Sequence, residues 1–248
     1  MKTILFAFAV LLGICSYGYG QESGSSGGGL LKKVGGALNK VKGNDGGLSN
    51  EDIVAGLKEA LSVGAQNSAA KLSAADGFFA NAAIKVLMPE EAKKVESTLR
   101  SVGMGKLVDD AILSMNRAAE EASKSAAPIF VNAIKQMSFQ DALGILRGSD
   151  TAATSYLKGK TVTQLTGSFR PVIEDALEKT NATKYWTSLA EAYNKLPTTF
   201  KKLNTDLPEY VTDKALSGLF YQVAQEEQKI RKDPAARVTD VLKKVFGS

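Results

Sequence analysis

The sequence predicts an all-α protein: a single multi-helix domain, preceded by a signal peptide and by a flexible N-terminal segment rich in Gly, Ser and Lys. Three observations support this prediction. Apolar residues recur at helical spacing along the chain from Leu48 onward. Residues that favour helix starts and helix ends separate these stretches. The same region shows neither a fixed-period repeat nor a β-rich stretch.

Residues 1–20 have the composition of a signal peptide. Lys2 supplies a positive start, Ile4–Leu12 is an unbroken apolar run, and the small-x-small triplet Gly18-Tyr19-Gly20 follows. The apolar run is shorter than the roughly 20 residues that a membrane-spanning helix needs. We therefore expect cleavage before Gln21 and export to the periplasm or the extracellular space.

Cys15 offers an alternative, in which the leader ends at a lipid-modified cysteine. A lipoprotein signal needs a small residue immediately before that cysteine, and Ile14 is large. We therefore expect ordinary cleavage, which leaves a chain without cysteine. Its stability in an oxidising compartment would then come from a hydrophobic core and not from disulfides.

Residues 21–47 are predicted to be a flexible tether. Gln21–Gly29 has linker composition, and Gly43–Gly47 forms a second hinge. Between them, Leu30–Lys42 is a short basic amphipathic segment that could make a weak contact with an anionic membrane surface. The alternative is a short helix or strand that docks on the following domain, and Gly35-Gly36 weakens an isolated helix by about 1 kcal/mol per glycine.

Residues 48–248 are predicted to form the helical domain. Ser49 is expected to cap the first helix, with Glu51 and Asp52 in the first turn, where the helix dipole favours acidic side chains. Four prolines indicate further helix starts and three glycines indicate helix ends. The prolines are Pro89, Pro171, Pro208 and Pro234, and the glycines are Gly103, Gly148 and Gly247. Ile84–Met88 could also form a short strand, although no partner strand is apparent.

Composition restricts the chemistry that this chain can perform. It has no histidine, and its single cysteine lies in the leader. These absences remove the side chains of most nucleophile–base pairs and transition-metal sites, so we expect no cofactor and no metal. The net charge of +5 is spread along the chain, whereas nucleic-acid-binding proteins concentrate Lys and Arg on one face. We therefore expect no nucleic-acid partner.

Six segments occur in the same order as in a known family. They are LSNEDIVAGLKEALSVGA (48–65), DGFFAN (76–81), MNRAAEEA (115–122), AAPIFVNAI (126–134), GSDTAATSYLK (148–158) and KALSGLFYQVAQEEQKIRKDPAARVTDVLKKVF (214–246). From about Leu48 to its C-terminus the chain resembles DUF4197, a bacterial family of domains of unknown function. The resemblance implies an exported protein with a single, mostly helical domain. It implies no activity, because the family has no assigned catalytic residues to carry over.

Glu227 interrupts the apolar face of a helix predicted over about Lys214–Lys232. That face consists of Leu216, Leu219, Phe220, Val223 and Ile230. A carboxylate there needs a cationic or donor partner, because an unpaired buried charge is costly. Arg231 and Arg237 are the candidates, and we interpret the group as an ion pair that fastens the last two helices. A perturbed carboxylate in a ligand cleft and a solvated side chain are the alternatives.

A second polar cluster consists of Asn116, Arg117, Glu120 and Glu121. It lies on a helix whose predicted inward stripe is Val108, Ile112, Met115 and Ala119. Asn116/Glu120 and Arg117/Glu121 are both i,i+4 pairs. Paired carboxylates could serve acid–base chemistry or hold a hard cation such as calcium. Adjacent side chains point about 100° apart on a helix, however, so we expect an interhelical hydrogen-bond network instead.

Two pairs of residues have the spacing of a catalytic motif. Ser155 and Lys158 form the Ser-x-x-Lys pattern of penicillin-recognising enzymes. Ser68 and Lys71 match the same pattern, and neither companion motif of those enzymes occurs in the chain. We therefore interpret both matches as coincidental.

Gly159-Lys160-Thr161 imitates the end of a phosphate-binding loop. That loop requires a glycine at the position where Thr154 stands. We interpret the region as structural, with Ser149 or Asp150 capping a helix.

The sequence as a whole predicts an exported cell-envelope protein with a non-catalytic binding or structural role. One alternative is a hydrolase or lyase that uses carboxylates with Arg and Tyr. Such an enzyme would gather Glu227, Glu120, Asn116, Arg231 or Tyr156 around one concave pocket, whereas a scaffold would bury them as satisfied pairs. A further alternative is a carrier of an apolar ligand, which would need a sizeable cavity between helices.

Overall fold

The computed structural model describes residues 49–195 and 202–232, and within these ranges it contains helices and no strand. The helices are α1 (Asn50–Ser73), α2 (Lys93–Ser101), α3 (Gly105–Ser123), α4 (Ala126–Lys135), α5 (Phe139–Leu146), α6 (Ala152–Lys179), α7 (Ala182–Asn194) and α8 (Leu207–Lys232). A 3₁₀ helix at Glu90–Ala92 leads into α2. The all-α prediction is therefore confirmed for the described residues.

Several predictions concern other parts of the chain. The signal peptide at 1–20, the tether at 21–47, Arg237, Pro234 and Gly247 lie outside the described residues. Among the described helices, none combines the length and the apolar character needed to cross a membrane.

The start of α1 follows directly from its sequence. The Ser49 hydroxyl accepts a hydrogen bond from the Asp52 N–H at 3.1 Å, and the Asp52 carboxylate accepts one from the Ser49 N–H at 3.2 Å. This reciprocal capping box satisfies two donors that would otherwise lack partners. Ser138 and Asp141 form the same arrangement at the start of α5.

Helices α3, α6 and α8 form the centre of the fold. Helix α6 packs against both α3 and α8, and α1 packs against α4 and α8. The largest fully buried side chains are Phe78, Phe130, Phe169, Leu57, Leu72, Met115, Ile134, Leu157, Leu165, Ile173, Leu177 and Leu219. Removing such apolar surface from water contributes about 25 cal/mol per Å² and is the main favourable term in folding.

The predicted inward faces of α3 and α8 are buried. The four stripe residues of α3 are at most 7% exposed, and on α8 only Ile230 of the predicted face is partly accessible. Helix α8 begins at Leu207, next to the start signal Pro208 and ahead of Lys214, where the apolar stripe had placed its first residue. The reason is that Leu207 and Val211 continue its buried face toward the N-terminus.

Pro171 does not start a helix, contrary to the prediction, but lies inside α6. A proline in a helix interior removes the hydrogen bond to the carbonyl four residues earlier, here that of Gly167. Both residues are exposed, so water can reach the freed carbonyl, while the buried Ile173 and Phe169 hold the helix in place. Pro89 and Pro208 do stand at helix starts, at the cap of the 3₁₀ helix and in the first turn of α8.

Two of the predicted glycine terminators follow helices. Gly103 comes after α2 and has a φ of +82°, a left-handed conformation that favours glycine. Gly148 comes two residues after the end of α5. The glycine signal for helix ends is therefore confirmed at these two positions.

Candidate functional site

Glu227 is buried on α8, and its carboxylate reaches the first turn of α6. Oε1 accepts a hydrogen bond from the Ala153 N–H at 3.0 Å. Oε2 accepts bonds from the N–H and the hydroxyl of Thr154 at 2.9 and 2.8 Å. Arg231 donates to Oε1 through Nε at 3.0 Å and through Nη2 at 2.9 Å. Both oxygens of this carboxylate are thus fully engaged by donors of the protein itself.

Arg231 extends the connection to a third helix. Its Nη2 also donates to the carbonyl of Ile145, near the end of α5, at 2.9 Å. The Arg231 side chain is only 12% exposed. An exposed ion pair between Lys232 and Asp150 lies at the same junction, with 3.0 Å between Nζ and Oδ2. The Glu227–Arg231 pair therefore joins α5, α6 and α8.

Neither Ser149 nor Asp150 caps α6, so that prediction is wrong. The residue before α6 is Thr151, and its side chain makes no capping hydrogen bond. Glu227 supplies the cap instead, because two otherwise unpaired N–H groups of α6 point at its carboxylate and the helix dipole favours negative charge there. The residues joined are 73 and 74 positions apart, so local capping rules could not find this contact.

Glu120 makes a similar arrangement on α3. It is buried, and its Oε1 accepts hydrogen bonds from the N–H groups of Phe78 at 3.1 Å and Phe79 at 3.2 Å. Its Oε2 accepts a bond from Arg117 Nη1 at 2.6 Å, and Arg117 Nη2 donates to Asp76 at 2.7 Å. The carboxylate therefore fixes the turn that follows α1.

Both predicted i,i+4 pairs are wrong: Asn116 bonds to Val86 and Ile112, not to Glu120, and Arg117 does not pair with Glu121. Arg117 bonds to Glu120, three residues on, while the exposed Glu121 pairs with Lys124 at 2.6 Å. Successive helical residues are rotated by about 100°, which turns Glu120 toward the buried turn and Glu121 toward solvent.

Ile84–Met88 does not form the strand that the sequence suggested: Ile84 belongs to a turn, Lys85–Met88 has no regular secondary structure, and Asn116 bonds to the middle of the segment. The Asn116 side chain is fully buried, its Oδ1 accepts a hydrogen bond from the Val86 N–H at 2.9 Å, and its Nδ2 donates to the Val86 carbonyl at 2.8 Å. Nδ2 also donates to the Ile112 carbonyl at 2.7 Å. One amide side chain thus supplies the donor and the acceptor that a neighbouring strand would provide. Asn116 and Glu120 thus bind two parts of the segment between α1 and α2, at Val86 and at Phe78-Phe79 respectively.

The structure distributes the polar candidates over separate places. Glu227 and Arg231 lie where α5, α6 and α8 meet, whereas Asn116 and Glu120 face the segment after α1. Tyr156 lies on α6, where burial raises the pKa of its phenol and Lys160 Nζ lies 5.7 Å from the ring centroid. Within the described ranges, no group of three or more acidic residues is placed to hold a metal ion.

The two Ser-x-x-Lys matches also differ in their surroundings. Ser68 is buried and its hydroxyl donates to the Gly64 carbonyl of its own helix at 2.7 Å. Ser155 is exposed on α6, and Lys158 Nζ lies 6.0 Å from the ring centroid of Phe220. Neither arrangement brings the hydroxyl and the ammonium group together.

An apolar pocket of about 220 Å³ lies between α2, α3, α7 and the start of α8. Its apolar walls are Met88, Leu99, Leu107, Val108, Ala111, Met115, Ala182, Tyr185, Trp186 and Leu207. The polar lining comes from Asp110, Ser114 and Thr180, and Asp110 is already paired with Lys106 at 2.7 Å. None of Glu227, Arg231, Glu120, Asn116 and Tyr156 lines it.

Leu107 and Tyr185 form the accessible rim of this pocket, and they are 42% and 60% exposed. Trp186, the chain's single tryptophan, forms part of the buried wall. No feature of the sequence indicated this pocket. Its lining residues come from four helices and from the segments around Met88 and Thr180, which are far apart in the sequence.

Comparison with known proteins identifies one family. A family model described as "Protein of unknown function (DUF4197)" matches residues 47–247. No curated protein and no solved structure matches the chain. The matched range includes both buried glutamates and the apolar pocket.

Proposed function

The chain belongs to the DUF4197 family, and we propose that it is an exported, non-catalytic domain of the cell envelope that binds an apolar ligand. The observation that supports binding is the apolar pocket with its accessible rim. An engineered apolar cavity of about 150 Å³ is large enough to hold benzene, so a pocket of about 220 Å³ suits a small ring or a segment of alkyl chain.

The hydrogen bonds that Glu227 and Glu120 make within the protein support a non-catalytic role. A general acid or base must lie within hydrogen-bond reach of the substrate proton that it transfers. The carboxylates of Glu227 and Glu120 instead accept hydrogen bonds from backbone N–H groups and from one arginine each. A buried carboxylate with such partners stabilises the fold, and withdrawing it for catalysis would leave two backbone donors unsatisfied.

Trp186 provides a direct test of binding. Because it is the chain's single tryptophan and lines the pocket, a brominated alkyl chain that enters should quench its fluorescence. We expect saturable quenching in the wild type and much weaker quenching in Ala111→Phe, which fills the pocket from α3.

Ala70→Phe is the matched control, since Ala70 lies on the exposed face of α1. It should be quenched like the wild type. Equal quenching in all three proteins, or none in the wild type, would show that the pocket does not bind an alkyl chain and would favour a purely structural role.

Export is proposed from the leader at residues 1–20 and has its own test. The processed protein should start at Gln21 when its intact mass and N-terminal sequence are determined. A diacylated product that starts at Cys15 would instead make the protein a membrane-anchored lipoprotein.

A weak contact with anionic membranes through Leu30–Lys42 is a separate proposal. Mature protein should sediment with anionic vesicles at low salt and be released as salt screens the lysines. Deletion of residues 21–47 should abolish sedimentation, and unchanged sedimentation would assign any lipid binding to the helical domain.

A further inference from the structure

A second concavity adjoins the apolar pocket and has a different lining. Its volume is about 440 Å³, and it shares Met88 and Trp186 with the apolar pocket. Three lysines lie around it, and we call it the lysine groove. Its lining residues are Lys85, Leu87, Met88, Pro89, Glu90, Glu91, Trp186, Lys202, Asn204, Tyr210 and Lys214.

The three ammonium groups of the groove are placed to receive an anion. Lys85 Nζ lies 3.8 Å from the Phe79 ring centroid, and Lys214 Nζ lies 5.6 Å from that of Tyr210. Within the part of the chain that the structure describes, no ion pair involves Lys85, Lys202 or Lys214. The contacts of Lys85 and Lys214 with aromatic faces leave ammonium N–H groups available to a ligand.

Two carboxylates set the net charge of the groove. Glu90 is paired with Lys93 at 2.7 Å, and Glu91 lies nearby. Burial, followed by the charges of Glu91 and Glu90, raises the pKa of Tyr210 to about 12, so its hydroxyl stays protonated and donates to the Leu87 carbonyl at 2.9 Å. The three lysines outnumber these two carboxylates, one of which is already paired, so the groove is net positive and suits an anionic head group.

Hydrogen bonds hold the segment that carries Lys202 beside the pocket. Trp186 Nε1 donates to the Asn204 carbonyl at 2.9 Å. Asn194 accepts from the Leu203 N–H at 2.7 Å and donates to its carbonyl at 2.9 Å. The common wall, Trp186, is thus fixed between the apolar pocket and the lysine groove.

We infer that the ligand is a single-chain fatty carboxylate, with its alkyl chain in the apolar pocket and its head group in the lysine groove. This inference rests on the proposed binding function and adds the chemical class of the ligand. An alkyl chain gains from leaving water, and a carboxylate at the point where the chain emerges is attracted by cations placed there. The apolar pocket offers the first condition and the lysine groove the second, and the two are separated only by the side chains of Met88 and Trp186.

The test compares amphiphiles with the same chain and different head groups. Dodecanoate, dodecanol, dodecyl phosphate and dodecyltrimethylammonium are titrated below their critical micelle concentrations into the mature full-length chain, with Trp186 fluorescence and calorimetry as readouts. We expect dodecanoate to bind most tightly and its affinity to fall with added salt, because salt screens exposed charges.

Lysine variants then locate the head group. Lys85→Gln combined with Lys214→Gln should weaken dodecanoate binding about three- to ten-fold, since each partly exposed ion pair contributes up to about 1 kcal/mol. The affinity for dodecanol should not change. Lys94→Gln combined with Lys229→Gln, on exposed faces of α2 and α8, is the matched control and should leave both affinities unchanged.

The outcomes separate this inference from the proposed function. Equal affinities for dodecanoate and dodecanol, unaffected by the groove variants, would overturn the fatty-carboxylate assignment and leave the apolar pocket as a binding site. Tighter binding of dodecyl phosphate or of the cationic amphiphile would also overturn it. Failure of all four to bind would overturn the proposed function as well.

Discussion

Thr154 and Glu227 are joined by two hydrogen bonds although 73 residues separate them: the Thr154 N–H and hydroxyl donate to Glu227 Oε2 at 2.9 and 2.8 Å. Oε1 of Glu227 also accepts hydrogen bonds from the Ala153 N–H and from Arg231. Removing this carboxylate therefore leaves two backbone N–H groups and a largely buried guanidinium without their acceptor. Glu227→Ala should therefore lower the free energy of unfolding by about 3–5 kcal/mol in urea titrations. A double-mutant cycle with Arg231→Ala should show coupling, since the two residues share one network.

The neighbouring Glu226 provides the control for this prediction. It is only partly buried and accepts a hydrogen bond from Gln222 at 3.1 Å, so Glu226→Gln should change stability by at most about 0.5 kcal/mol. If Glu227→Gln unfolds like the wild type, the carboxylate is not needed to join α6 and α8.

Glu120 and Glu121 give a second matched pair. Glu120→Gln puts an NH₂ group in place of one acceptor oxygen, facing either the Phe78 and Phe79 N–H groups or the Arg117 guanidinium. It should lower the free energy of unfolding by about 1–3 kcal/mol. The same substitution at Glu227 should cost more, because Arg117 is 43% exposed and stays solvated whereas Arg231 is only 12% exposed. Hydrogen exchange at the Phe78 and Phe79 amides should become faster.

Glu121→Gln should leave both the stability and these exchange rates close to those of the wild type, since its pair with Lys124 is exposed. Similar effects of the two substitutions would mean that the turn after α1 is not held by the Glu120 carboxylate.

Gly218 and Gly159 should respond in opposite directions to the same substitution. A Cβ at Gly218 in α8 would lie 2.6 Å from Phe78 Cε1 and 3.2 Å from Ile84 Cβ, whereas nothing lies within 4 Å of one at Gly159 in α6. Gly218→Ala should destabilise the fold, because overpacking costs about 1–3 kcal/mol and exceeds the gain in helix propensity. Gly159→Ala should stabilise it by about 0.5–1 kcal/mol.

Thermal unfolding of the two variants measures both effects. Stabilisation by Gly218→Ala would indicate that the turn carrying Phe78 can move away from α8 without loss of packing.

Asp141 should make the stability depend on acid pH. Hydrogen bonds from the Ser138 hydroxyl, at 2.7 Å, and from its backbone N–H, at 3.0 Å, lower the pKa of the Asp141 carboxyl from 3.8. Because the folded pKa lies below the unfolded one, the stabilisation is complete above about pH 5, begins to fall near the unfolded pKa of about 3.9, and is lost as the pH falls through the folded pKa.

Asp141→Asn should therefore lower Tm at neutral pH, with a difference from the wild type that shrinks as the solution becomes acidic. The exposed Asp213→Asn on α8 serves as the control and should show no such trend. A constant difference in Tm across the whole pH range would contradict the role of the ionised carboxylate.

Local sequence rules predicted the features that depend on a few neighbouring residues. Ser49 and Asp52 form a cap because both partners lie within one helical turn. The buried stripes of α3 and α8 follow from helical periodicity alone. The same periodicity places Glu227 and Arg231, four residues apart, on one face of α8, where they pair. The helix start predicted at Pro171 is wrong because a proline is tolerated inside a helix when the freed carbonyl faces water.

The sequence by itself determined the all-α class, a few helix ends, such as those at Ser49, Pro208 and Gly103, and the burial of Glu227. Only the tertiary structure decided what that carboxylate binds, how Asn116 replaces a neighbouring strand for Val86, and where Met88 and Trp186 separate an apolar pocket from the lysine groove. The physical reason is that periodicity and capping act over one or two turns of helix. A hydrogen-bond partner or a pocket wall, in contrast, is supplied by whichever distant segment packs there, and its identity depends on the packing of the whole domain.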